Sequence, residues 1–156
     1  PGVTAANNSV VYLGANPIAR TGSASPIAGA TFAAFSGGDL ALNDLNRVAL
    51  VAQLAGGGIS PLNDRALLFW DGSGWQLIAR EGDPLAGSLI AALVGSDGNP
   101  RIELNDAGQV LFWANLTDGR DGLFLTAAIP EPAMVWSFLA GLAMLGFQAA
   151  RRRRRH

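Results

Sequence analysis

Apolar residues in the first 129 positions come in short runs broken by Asn, Asp, Gly and Pro, a pattern that predicts strands. The runs are Val10 to Leu13, Val48 to Leu54, Leu67 to Trp70, Trp75 to Arg80, Val110 to Leu116 and Leu123 to Thr126. Asp71-Gly72-Ser73-Gly74, between two of them, predicts a hairpin loop. No helical stripe longer than two turns is present before residue 133. There the pattern changes: Ala133 to Ala150 is eighteen residues without a charge. As a helix that run is about 27 Å long, against about 30 Å for a bilayer core. It predicts one C-terminal transmembrane helix.

The strand-like runs repeat. Leu42-Asn43-Asp44 opens a segment that returns 62 positions later as Leu104-Asn105-Asp106, with Val48, Ala52 and Leu54 matched by Val110, Ala114 and Leu116. Ile18-Ala19-Arg20-Thr21-Gly22 returns as Ile78-Ala79-Arg80-Glu81-Gly82, each followed by Pro-x-Ala-Gly. Asn7-Asn8 before Val10 corresponds to Asn63-Asp64 before Ala66, and Asp118 to Gly122 before Leu123 looks like a shortened version. The unit is 56 to 62 residues, and the chain enters and leaves midway through one. Units of this size stack or arrange radially, since none buries its faces alone. The expected fold is therefore all-β, with repeated short antiparallel strands as in incomplete β-propeller blades, or else a β-sandwich. The expected organisation is a β-repeat region over 1–127, a linker over 128–132, the membrane helix over 133–150 and a basic tail over 151–156.

Charge sharpens the division. Residues 1–132 hold six arginines against all twelve acidic residues, a net −6, while the tail carries Arg151, Arg152, Arg153, Arg154 and Arg155. An acidic body does not favour nucleic acid. Arginines flanking an apolar span orient it with that end in the cytoplasm. With no cysteine there is neither disulfide nor thiolate chemistry. The start at Pro1, without Met or a leader, predicts a piece of a longer exported precursor.

The body offers little for catalysis. The only histidine is His156, so Ser and Thr lack a histidine base. Asn43-Asp44, Asn63-Asp64 and Asn105-Asp106 could offer oxygens to a cation. Their preferred reading is a structural turn that bonds its own backbone. In the second copy Gly108 suits positive φ; in the first, Asn46 stands there. Arg20 and Arg80 are expected to pair with a carboxylate such as Glu81 or Asp83. Trp70 and Trp75 suit packing, with sugar stacking as the alternative. No metal, cofactor or catalytic residue is assigned.

The tail resembles the PEP-CTERM sorting signal: Pro130-Glu131-Pro132, the apolar span, then the arginine cluster. Proline blocks helix and sheet pairing, as an accessible cleavage site requires. The resemblance implies exosortase as the processing partner, cutting near Pro130 to Pro132, in a Gram-negative bacterium that makes exopolysaccharide. The body is similar to exported tandem-repeat proteins patterned Asn-x-x-Gly-x-x-Ala-Phe, through Asn105, Gly108 and Phe112. The expected protein is a single-pass inner-membrane precursor, then a cell-surface or extracellular-matrix protein. Its expected role is structural or adhesive, without catalysis of its own and with exopolysaccharide as the candidate partner. The alternative is a carbohydrate-binding or carbohydrate-active β-propeller protein.

Overall fold

The computed structural model describes residues 2–4, 7–94 and 101–129, with the backbone alone at 36–39. The expected membrane helix, the proline pair and the basic tail lie outside the described residues. Within them there are eleven strands and no α-helix. They are β1 (Val10–Leu13), β2 (Asn16–Arg20), β3 (Ala30–Leu42), β4 (Val48–Gly56), β5 (Arg65–Trp70), β6 (Trp75–Arg80), β7 (Pro84–Leu85), β8 (Ser88–Ala92), β9 (Ile102–Leu104), β10 (Val110–Leu116) and β11 (Asp121–Leu125).

Three antiparallel sheets result. The first is the hairpin β1-β2; the second is the meander β3-β4-β5-β6; the third runs β7-β8-β10-β11, with β9 also paired to β10. Pro17 lacks an N–H and sits in β2 opposite Tyr12, where the register shifts. An edge strand at a bulge tolerates this.

The sheets stack in chain order, and the middle one is covered on both faces. One face of β4 and β5 presents Val48, Leu50, Ala52, Ala66 and Leu68, which pack with Val11, Leu13, Ile18 and Ala19 of the first sheet. The opposite face presents Ala49, Val51, Leu67 and Phe69 to Ile90, Val110, Phe112, Ala114 and Leu116 of the third. A strand buried on both faces cannot alternate apolar with polar. This is why Val48 to Ala52 and Ala66 to Phe69 read as unbroken apolar runs, every residue of them buried. Full burial of Leu67 or Phe69 contributes about 1.5–3 kcal/mol each. In β10, by contrast, only alternate residues are fully buried, Val110, Phe112, Ala114 and Leu116, because among the described residues only that face of the third sheet packs on another layer.

The sequence repeat is a repeat of individual hydrogen bonds. The Asn7 side chain accepts the Thr4 N–H at 2.6 Å, and Asn63 accepts the Ser60 N–H at 2.7 Å. The Gly22 N–H reaches the Phe32 carbonyl at 2.7 Å, and Gly82 reaches Ile90 at 2.8 Å. Both glycines have positive φ, 81° and 88°. Strand β11 pairs with β10 as β5 pairs with β4. One long strand of the first copy, β3, is replaced in the second by β8 and β9, which share one edge of β10.

Candidate functional site

The residues singled out by the repeat meet at one place. Asn43 caps its own turn: its Oδ1 accepts the N–H groups of Arg47 at 2.9 Å and Leu45 at 3.1 Å. Asn105 does the same for Gln109 at 2.9 Å. These are side-chain-to-backbone turns, the conformation for which Asn is selected. Asn46 and Gly108 occupy the equivalent positions at φ 57° and 74°. Gly108 answers a second demand, since a Cβ there would lie 3.3 Å from both Arg47 Nη1 and the Ile129 carbonyl oxygen.

The two turns stack on each other. Asn43 Nδ2 donates to the Asn105 carbonyl at 3.0 Å, and the Asp44 N–H donates to Asp106 Oδ1 at 3.2 Å. Arg47, itself buried, extends Nη1 to the Asp106 carbonyl at 3.5 Å. Thus Asn43, Asp44, Asn105 and Asp106 form a polar seam at one end of the apolar layer contact, beside Asn46 and Gly108. The seam fixes the register of one layer on the next, because a buried amide without a partner costs about 1–3 kcal/mol. That Asn43 and Asn105 share a motif is readable from the chain; that they touch is not.

The carboxylates of Asp71 and Glu81 also hold backbone groups. Asp71 Oδ1 accepts the Ser73 N–H, the Ser73 hydroxyl and the Gly74 N–H at 2.7, 2.8 and 2.9 Å, while Oδ2 accepts the Gln76 amide at 2.8 Å. Burial works against its charged form, but these bonds outweigh it and hold the carboxyl below its usual range. Glu81 replaces Thr21 of the first copy. Its two oxygens accept the N–H groups of Arg65 and Leu93, both at 3.4 Å. Burial dominates there and pushes the carboxyl up, with the Asp64 charge adding to it. Among the described residues no group of three His, Cys, Asp or Glu side chains is placed to hold a metal ion.

Two expectations come out differently or more sharply. The expected pairing of Arg80 with Glu81 or Asp83 is not formed. Asp83 Oδ2 accepts the Arg80 backbone N–H at 2.8 Å instead, and Arg80 Nε is buried without a partner. The reason lies in the repeat: Asp83 stands where Ser23 caps Arg20 in the first copy, so the position serves the turn. Trp70 and Trp75 pack against each other at 5.5 Å between ring centroids and against the first core. The Trp75 indole N–H crosses between layers to the Ile18 carbonyl at 2.7 Å.

No helix among the described residues is long and apolar enough to cross a membrane. Residues 128–155 match the PEP-CTERM protein-sorting motif. The motif implies processing by exosortase, and with it a membrane-anchored precursor later exported to the surface. The comparisons with curated proteins and with solved structures gave no match. Residues 14–136 match a family of unknown function (DUF7453), and the chain belongs to that family.

Proposed function

We propose that this member of the DUF7453 family is a structural or adhesive protein of the bacterial surface or extracellular matrix, without catalysis of its own. The observation that carries the reading is the junction at Ile129, where the layered β body meets the sorting motif over 128–155. The precursor is held in the inner membrane by Ala133 to Ala150. Its arginines, Arg151 to Arg155, stay in the cytoplasm and its −6 body lies on the far side. Exosortase then acts near Pro130-Glu131-Pro132. The layered packing supports a passive role, because the polar side chains of the seam and of the Asp71 and Glu81 turns hold backbone groups. Exopolysaccharide is the proposed partner.

The four-stranded meander β3-β6, stacked between neighbours of the same strand types, supports propeller-like blades over a simple two-sheet sandwich. The packing of the partly buried Trp70 and Trp75 on each other and on the core weighs against their use as an open sugar platform.

Intact-mass measurement of the mature protein from a native host tests the reading. The expected mass lacks the arginine cluster, with the new C-terminus near Pro130 to Pro132. A mature mass that retains Arg151 to Arg155 would sink the processing step and leave a plain anchor. Turnover of any glycan by the purified protein would overturn the structural role.

A further inference from the structure

The residues that lead from the β body into the sorting motif are fastened to the body. Thr126 is tied to β10 twice: its N–H donates to the Val110 carbonyl at 3.0 Å, and its Oγ1 accepts the Val110 N–H at 2.9 Å. Ala127 and Ala128 are exposed. Ile129 then returns to the surface of the body. Its N–H donates to the Gly108 carbonyl at 3.4 Å, and its half-buried side chain packs against the core shared by the second and third sheets. Gly108 suits this return. The turn itself accepts a side chain at positive φ, since Asn46 holds the equivalent position at 57°. In the second copy a Cβ would stand 3.3 Å from the Ile129 carbonyl oxygen and from Arg47 Nη1, so glycine clears the place where Ile129 lies.

We infer that Ile129 on Gly108 is a clasp that withholds the adjoining Pro130-Glu131-Pro132 from exosortase, so that cutting waits on its local opening. The inference rests on the processing step proposed above. Length decides it. Residues 130–132 reach at most about 11 Å when fully extended, and the proposed membrane span begins at Ala133. A protease cleft that grips three residues on each side of a cut takes up about 20 Å of extended chain. With Ile129 held, that length does not exist between body and membrane. Releasing Ala127 to Ile129 doubles the free chain to about 20 Å, with Thr126 still tied to β10. The opening gives up one long hydrogen bond and one half-buried side chain, so it is a local event that leaves the layers folded. Cleavage of a transiently opened state follows the population of that state. The clasp therefore sets the rate of processing without entering its chemistry.

Pulse-chase measurement in a native host, on the whole membrane-inserted precursor, tests the clasp. Three chains are compared: the parent, Ile129→Ser, and a chain with six Gly-Ser residues inserted between Ile129 and Pro130. The insertion leaves the body untouched, so its result does not depend on how well Ile129→Ser folds. Both changed chains are expected to convert to the mature form at least fivefold faster than the parent, with intact mass showing the same cut site relative to Pro130 to Pro132. Equal rates for the parent and the spacer chain overturn the clasp while leaving processing intact. Slower conversion of the spacer chain also overturns it, because the body would then be presenting the motif and not withholding it. No conversion of any chain, the parent included, defeats the processing step itself and the clasp with it.

Discussion

Replacing Asn43 with alanine removes three hydrogen bonds from a side chain that is only 8% exposed. Two of them, to the N–H groups of Leu45 and Arg47, hold its own turn, and one, to the Asn105 carbonyl, holds the next layer. At about 0.5–1.5 kcal/mol net per bond, with a buried group left unsatisfied, the loss is about 2–4 kcal/mol. Asn105→Ala is the internal control. It removes the equivalent capping bond to the Gln109 N–H and an exposed bond to the Gln109 side chain, and should cost about 1 kcal/mol. Asn43→Asp keeps the acceptor for the turn but turns a carboxylate oxygen toward the Asn105 carbonyl, so it damages the layer contact alone. Urea unfolding of the detergent-solubilised chain measures all three, followed by tryptophan fluorescence, with Trp70, Trp75 and Trp113 in the β body. The expected order of loss places both Asn43 variants above Asn105→Ala. Equal losses for Asn43→Ala and Asn105→Ala, within about 0.5 kcal/mol, would show that the seam between turns contributes nothing.

Two further outcomes are expected. Ala86 has φ 50° in the two-residue turn between Leu85 and Ser88, ahead of Gly87 at φ 81°, a conformation that suits Asn-Gly. Ala86→Asn should raise the urea midpoint, by about 0.5–1 kcal/mol of stability; a lowered midpoint refutes the strain argument. Burial holds the Glu81 carboxyl above its ordinary range, so the folded chain binds that proton more tightly than the unfolded one. Its contribution is greatest below the unfolded value near 4.5 and is lost as pH rises through the raised folded value. Stability of Glu81→Gln relative to the parent should therefore improve as pH rises across that window. A pH-independent difference would show that burial of the charge has no cost.

Much of this architecture is legible in the chain, and the parts that are not have specific causes. The strands β1, β6 and β10 coincide with apolar runs bounded by turn residues. Strand β3 does not: Ser36-Gly37-Gly38-Asp39 interrupts its apolar pattern, and the pairing with β4, made up to Phe35, resumes at Leu40 after a register shift. Tertiary pairing overrides weak local propensity there. The turns at Asn43 and Asn105 are visible as a motif, but their contact depends on how two layers align, which no local pattern encodes. The wrong partner for Arg80 had a readable clue, because Ser23 occupies the Asp83 position in the first copy and cannot form an ion pair. The apolar runs in β4 and β5 show burial but not how many neighbours cause it; the repeat supplies that, by giving each run two faces with different partners.

The exit of the chain has a mechanical consequence. Thr126 and Ile129 leave the β body bonded to Val110 and Gly108, at the end of the third sheet where β10 begins. Tension arriving from beyond Ile129 acts at one end of the antiparallel β10-β11 pair. Its hydrogen bonds are then loaded one after another, from Leu111-Leu125 toward Asn115-Asp121, and never all together. Strand β11 is therefore a low-force zipper. Under a pull it opens before the doubly covered sheet behind it feels the load, and its release frees a short leash between the remaining layers and whatever holds the tail.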